Sequence, residues 1–327
     1  MTPEKTIGPA EPTPDAFAGR GPAAHAKRLL HATRPKFFPA SVLPVLVGTT
    51  WGACVAQSLD FGVFLLALIA TVCVHAAANV LNDVGDEISG TDRINRGRIF
   101  PYTGGSRFIQ NGVLSTRAMA VWGVQLLVAA AAIGAVLAYL RGPMVLAFGI
   151  VGIALGTLYS LPRVQLSARG IGEAAVAIAF GVLPVTGAAW LQSGVIDAAS
   201  LLISVPVSLW VAAILLMNEV PDLEADAQAG KRTLVVRLGI PGTRRLYLGL
   251  QLTAVAAFLA AGLLGYLPWW ASLAALLLVP GALRAAKGIG DRAADRAALT
   301  RAIEATLGLH TFGCALLIAA TLLGLMA

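Results

Sequence analysis

The chain has 327 residues, of which 57% are hydrophobic and 13% charged, and carries a formal net charge of +7. Soluble globular domains carry about 25% charged residues, so this composition excludes an ordinary soluble enzyme. Three cysteines in apolar runs, without CxxC or Cys/His spacing, exclude a disulfide framework and a zinc site.

Residues 1–33 are rich in Pro, Ala and Gly and lack the apolar core of a cleaved signal peptide, which predicts a mobile cytoplasmic tail ahead of one transmembrane domain over 34–327. A bilayer core of about 30 Å needs about 20 apolar residues in helical form. Nine stretches meet that requirement, near 40–58, 62–82, 118–140, 142–160, 171–191, 199–219, 244–266, 268–286 and 304–326. Pro44, Pro184, Pro206 and Pro280 fall inside them, as proline often does in membrane helices. The expected fold is all-α, a polytopic membrane bundle of about nine transmembrane helices. On this count 23 of the 24 Lys and Arg residues lie in the N-terminal segment and the even-numbered loops, leaving Arg141 on the other side. The positive-inside rule then predicts a bacterial-type inner membrane protein with N-terminus and even loops cytoplasmic and C-terminus outside. The same distribution explains the basic excess through the lipid bilayer and gives no nucleic-acid partner.

The 17 acidic residues are the most informative feature. Asp83, Asp86, Glu87 and Asp92 follow the second span, and Glu219, Asp222, Glu224 and Asp226 follow the sixth, on the same side. In the first cluster Asn79, Asn82, Asp83 and Asp86 are three or four apart and share a face if the helix continues. Gly90 can end that helix, and Asp92 then returns from the loop. In the second cluster Asn218, Asp222 and Asp226 recur every four residues, again predicting one helical face. An even number of spans separates the clusters, so the pattern reads as a parallel duplication with a site between two halves. Acidic residues at a helix end are often only solvated loop residues; two clusters of matched spacing at equivalent positions argue against that reading.

Two facing carboxylate clusters repel unless a cation stands between them. Oxygen ligands without His or Cys favour a hard ion, and Mg²⁺ characteristically combines few carboxylates with substrate phosphate and water. Arg107 and Lys231, each following glycine in a turn-like stretch, add cationic groups, and the whole describes a metal-assisted diphosphate site. Gly230-Lys231 is not a P-loop, because no glycine stands five residues before Gly230.

From Arg34-Pro35-Lys36 to Gly239 these residues resemble the UbiA superfamily of intramembrane aromatic prenyltransferases, most closely the 1,4-dihydroxy-2-naphthoate polyprenyltransferase branch of menaquinone biosynthesis. That branch's Asn-Asp-x-x-Asp-x-x-x-Gly-x-Asp pattern is met by Asn82, Asp83, Asp86, Gly90 and Asp92. Its second pattern is met by Asn218, Asp222, Asp226, Gly230, Lys231, Thr233 and Leu234, and Leu158-Tyr159-Ser160 with Gly170-Ile171-Gly172-Glu173 resembles its fourth loop. The resemblance implies a helical bundle around a central cavity and Mg²⁺-dependent transfer from polyprenyl diphosphate to an aromatic acceptor. It implies that Asp83, Asp86, Asp222 and Asp226 are metal and diphosphate ligands. Asn79, Asn82, Asp92, Asn218, Arg107 and Lys231 would contribute to substrate binding, while Tyr159 and Arg163 would lie near the reacting allylic carbon. The sequence departs from many relatives at Val84-Gly85 and at Phe100 to Arg107, which bears on the acceptor more than on the reaction. Alternatives are another acceptor (4-hydroxybenzoate, homogentisate or a non-quinone lipid) or a cation-coupled transporter; the latter would be expected to hold its carboxylates near mid-membrane in broken helices.

Elsewhere, His75 reads as a packed intramembrane histidine more readily than a cavity group, and Glu173 equally as a helix cap or a cavity residue. Trp51, Trp122, Trp190, Trp269 and Trp270 read as interfacial anchors near span ends.

Overall fold

The computed structural model describes residues 11–161, 163–289 and 295–324, and among these there is no strand. After α1 (Pro22–Ala32) come α2 (Pro39–Ala56), α3 (Phe61–Ser89), the short α4 (Thr91–Ile94), α5 (Thr116–Arg141) and α6 (Met144–Ser160). Then follow α7 (Gly172–Ala177), a π-helical turn (Ile178–Val182) and α8 (Leu183–Ser193), which together make one span. The chain continues through α9 (Ala198–Glu219), α10 (Leu223–Gln228), α11 (Leu234–Leu263), α12 (Trp269–Ser272), α13 (Leu278–Ala286) and α14 (Arg296–Gly324).

Local chemistry fixes several helix ends. The side chains of Asp60, Ser115, Asp197 and Thr233 accept the N–H groups of Val63, Ala118, Ser200 and Val236, satisfying donors that each first turn leaves free. Gly90 closes α3 in the left-handed conformation (φ 79°), so the helix carries Asn79, Asn82, Asp83 and Asp86 on unbroken turns as the sequence predicts.

Helix α9 is the axis of the bundle, with Trp210, Leu216 and Met217 fully buried. It packs on α11, α14, α7 and α8, while α3 packs on α5 and α6, and α2 on α8. The α2–α8 contact is backbone to backbone: a Cβ at Gly48 would stand 2.1 Å from the Val185 carbonyl oxygen, and one at Gly52 2.2 Å from that of Ala189. Small residues four apart are the usual means of such approach where helices gain nothing by hiding apolar surface from lipid. Large apolar side chains such as Val124, Val128, Ile150, Leu252 and Leu277 remain exposed, as on a lipid-facing surface.

Among the described residues, eight helical segments are long and apolar enough to cross a membrane, and α6, at 17 residues, is a ninth, shorter apolar helix. The seventh expected span, 244–266, is the later part of a helix that starts at Leu234 and kinks at Gly239 (φ 62°), just before Pro241. The second acidic cluster does not lie on one continued helix: α9 stops at Glu219, Pro221 cannot donate a helical hydrogen bond, and Asp226 rides on the separate α10.

Within the stretch 1–33 that the sequence suggests is a mobile tail, residues 11–33 contact the motif end of the bundle; the rest of that stretch lies outside the described residues. The Phe17 ring meets Phe108 at 4.9 Å and His31 at 5.3 Å. Glu11 accepts from Arg98 Nε at 2.8 Å, and the Leu29 carbonyl accepts from Trp122 Nε1 at 3.2 Å. A Pro- and Ala-rich composition hides this, because a few aromatic and ionic anchors are enough to tie down a short segment.

Candidate active site

One cavity opens at the motif end, between α3, α6, α7 and α9, and gathers most of the acidic residues that are far apart in sequence. Asn79, Asn82, Asp86 and Asp92 line it from the first half of the chain, and Asn218, Glu219, Asp222, Asp226 and Lys231 from the second, with Tyr159 between. Its inner wall is apolar, formed by Leu155, Gly156, Ala179, Phe180, Val211 and Leu215. The site is thus polar and ionic at one end and greasy at the other.

Lys231 joins the two motifs. Its Nζ donates to Asp86 Oδ1 at 2.7 Å and lies 3.5 Å from Asp226 Oδ1. These carboxylates hold the Lys231 ammonium above the usual lysine range, although burial opposes them. Asn95, just after α4, donates from Nδ2 to Asp222 Oδ1 at 2.7 Å, a second tie between the halves.

Asp83 and Asp92 hold the loop that covers the site. The Ser106 N–H donates to Asp83 Oδ2 at 3.0 Å, while Asp83 Oδ1 is buried without a partner among the described residues. Gly105 has φ 73°, and a Cβ there would meet Asp92 Oδ2 at 2.7 Å and Asp83 Oδ1 at 2.8 Å, so only glycine lets the loop approach both carboxylates. Arg107 donates from Nη1 to the Asp92 carbonyl at 2.6 Å and lies near Glu11; it braces this loop and does not line the cavity.

Burial raises the carboxyl of Asp222 and lifts Asp226 to about 7, with neighbouring carboxylates adding and Lys231 opposing. Burial and the charges of Asp86 and Asp83 lift Asp92 to about 8. An acidic site this poorly neutralised is one that a further cation stabilises. Among the described residues no three carboxyl, imidazole or thiol groups are already gathered at metal-binding distance. The donors are nonetheless of the right kind: oxygen only, with Asp83 Oδ1 and Asn218 Oδ1 unpartnered. Such a set fits a hard divalent ion whose shell is completed by water and substrate oxygens.

A family model for the "UbiA prenyltransferase family" matches residues 45–307. The chain belongs to the UbiA prenyltransferase family. It is similar to the 1,4-dihydroxy-2-naphthoate octaprenyltransferase of Mycobacterium tuberculosis, 33% identical over 253 residues, which cover 77% of this chain and 82% of that protein. It is likewise similar to the enzyme of that name from Escherichia coli, 31% identical over 85% of this chain and 91% of that one. Among solved structures, a UbiA homolog from Archaeoglobus fulgidus bound to GPP and Mg²⁺ superposes with a TM-score of 0.65 at 18% identity, over 92% of this chain and 100% of that one, a likeness of fold.

This UbiA-family member is therefore a prenyltransferase and an integral membrane protein. Its cavity brings together the expected Asn79, Asn82, Asp86, Asp92, Asn218, Asp222, Asp226, Lys231 and Tyr159. Arg163 is not brought in: α6 ends at Ser160, and Arg163 sits exposed in the following turn, its carbonyl accepting from Arg169. Asp83 is buried directly behind the cavity lining.

Sequence reasoning missed Arg34, Asn95 and Thr103, which all line the cavity. Arg34 takes a left-handed backbone (φ 57°) before Pro35, and its Nη2 donates to the Tyr102 carbonyl at 2.7 Å. The only early signal for Arg34 was the Arg-Pro-Lys run itself. His75 satisfies both readings offered for it: Nδ1 is bonded to Ser41 Oγ at 2.9 Å and the ring packs on Phe38 and Phe180, yet it lines the cavity wall.

Proposed function

We propose that this prenyltransferase moves a polyprenyl group from polyprenyl diphosphate to an aromatic acceptor, 1,4-dihydroxy-2-naphthoate, with Mg²⁺ as cofactor. The observation that carries the reading is Lys231 held between Asp86 and Asp226 inside one cavity whose inner wall is apolar. The similarity to naphthoate octaprenyltransferases over most of the chain supports the acceptor.

Asp86, Asp222 and Asp226, with Asp83 behind them, would hold Mg²⁺, which when bound neutralises the diphosphate and so favours its departure. Lys231 is already charged and buried at the polar end and binds the diphosphate as a point charge; Arg34 is the second cation on that wall. Asn79 and Asn82 orient the carboxylate face. Asn79 is fixed by donating to the Thr33 carbonyl at 2.9 Å, which ties α3 to the chain just after α1. The loop held by Asp83, Asp92 and Gly105 covers the ionic end and restricts water, protecting the allylic cation left when the carbon–oxygen bond breaks. The Tyr159 ring and apolar wall receive that cation's carbon end beside an electron-rich acceptor carbon. Attack by this carbon forms the new carbon–carbon bond. With dihydroxynaphthoate, the ring's carboxylate leaves as carbon dioxide and its bonding electrons restore the aromatic ring.

The motif end is proposed to be cytoplasmic. Among the described residues it carries nearly all the Lys and Arg, whereas Arg141, paired with Asp60 at 2.5 Å, stands at the far end.

The test presents detergent-solubilised protein with Mg²⁺, polyprenyl diphosphates of several lengths, and dihydroxynaphthoate, 4-hydroxybenzoate and homogentisate, with products identified by mass. A prenylated naphthol that disappears with EDTA and in Asp222→Ala is expected. Product from another acceptor alone would replace the naphthoate assignment.

A further inference from the structure

Two carboxyl groups beside the cavity are not used by the diphosphate chemistry. Glu219, the last residue of α9, lines the cavity, and Glu173 lies in the first turn of α7. They are 8% and 5% exposed. Their carboxyl groups lie within hydrogen-bonding reach of each other, a pair that one shared proton links, and among the described residues no other group donates to Glu219 Oε2 or to either oxygen of Glu173. Among the described residues no lysine or arginine is paired with either. Buried polar atoms are rarely left unpaired, because each costs the desolvation of its group. One shared proton cannot satisfy all the oxygens of the pair, and Glu219, the member that lines the cavity, keeps an acceptor for a ligand that brings a donor.

Their position says which ligand. Glu219 marks the change in the cavity's character. Asp222, Asp226 and Lys231 follow it in the chain at the ionic end, while Leu215 and Val211 stand one and two turns back along α9 on the apolar wall. A prenyl diphosphate lying along this gradient has its first carbon at that boundary. A carboxyl there repels diphosphate and offers nothing to a hydrocarbon chain. It suits an O–H donor on the second substrate.

We propose that Glu219, backed by Glu173, is the acceptor-orienting residue: its free oxygen receives a phenolic O–H and turns the ring's electron-rich carbon toward the allylic carbon. The assignment rests on the prenyltransferase reading above and adds which group selects the acceptor. A site built to accept from a hydroxyl rejects analogues that lack it, because its own buried oxygen is then left unpaired.

The experiment measures hydroxylated naphthalenes against their O-methyl ethers, as substrates and as competitors, in wild type, Glu219→Leu and Glu219→Gln, with Michaelis constants for both substrates. Wild type is expected to prefer the phenol by at least about 100-fold. In Glu219→Leu that preference shrinks and the acceptor KM rises at least about tenfold, while the diphosphate KM stays within about twofold. Glu219→Gln, which keeps one acceptor oxygen, recovers part of the preference, a pattern that a merely structural role does not give. An undiminished preference in Glu219→Leu, or a rise in the diphosphate KM alone, overturns the proposal. So does equal acceptance of phenol and ether by wild type, a measurement that needs no variant to fold. Failure of wild type to prenylate any aromatic ring overturns the underlying functional reading, and this assignment with it, and is distinguishable because the phenol arm itself is then silent.

Discussion

Lys231 donates to Asp86 across 2.7 Å although the two residues are 145 apart in sequence. Both side chains are nearly enclosed, so the ammonium is the cation that makes the approach of the two acidic motifs tolerable. Lys231→Met leaves Asp86 and Asp226 facing each other without it. Loss of one partner from a buried pair costs about 3 kcal/mol, and loss of a charge-stabilising group lowers turnover by at least about 100-fold. A lower melting temperature in EDTA, partly restored by Mg²⁺, is the expected outcome by thermal unfolding in detergent.

The raised carboxyls set a pH dependence. Asp226, at about 7, and Asp92, at about 8, hold protons in the folded, metal-free protein that they release near pH 4 when unfolded. The folded state therefore binds more protons through this window, and metal-free stability falls as pH rises from about 4 to about 8. Divalent metal needs the ionised carboxylates, so its affinity rises over pH 6 to 8.5 with proton release. Calorimetric titration of Mg²⁺ in two buffers of different ionisation heat checks both; Asp226→Asn flattens the affinity slope.

Ala179 belongs to the wall of the ionic cavity and also to that of a second, apolar cavity between α3, α5, α6 and α8, lined by Val74, Gly149, Gly152 and Gly187. Substituting it with tryptophan is expected to block a prenyl chain that runs past Ala179 from the first cavity into the second. Turnover of long polyprenyl diphosphates should fall at least about tenfold relative to dimethylallyl diphosphate. Equal losses for short and long donors would show that the chain does not run this way.

The α2–α8 contact admits no side chain at Gly48. Gly48→Leu forces the helices apart at a cost of about 3 kcal/mol, whereas Gly149→Ala, where a Cβ meets nothing within 4 Å, is tolerated. Melting temperatures in one detergent distinguish the two.

Phe17 seats the N-terminal segment on Phe108, next to Arg107. Phe17→Ala removes about 1 kcal/mol of ring packing beyond the buried area. Limited proteolysis should then cleave ahead of α1 more rapidly, with the transmembrane helices still protected.

The sequence by itself determined what is local. Runs of apolar residues long enough for a bilayer, polar caps such as Asp60 and Ser115, and Gly90 after a helical turn each act within a few residues, so the helices, the unbroken first motif and the family resemblance were all legible. Pro221 was equally visible, yet the spacing of Asn218, Asp222 and Asp226 predicted a helix that the missing N–H ends. The tertiary structure alone decided what meets across the cavity. Spacing along one helix does not set its rotation or depth against another; close packing, such as α2 on α8, does. That is why Arg34, Asn95 and Glu219 came into the site, Arg163 stayed outside it, and residues 11–33 meet the bundle's motif end.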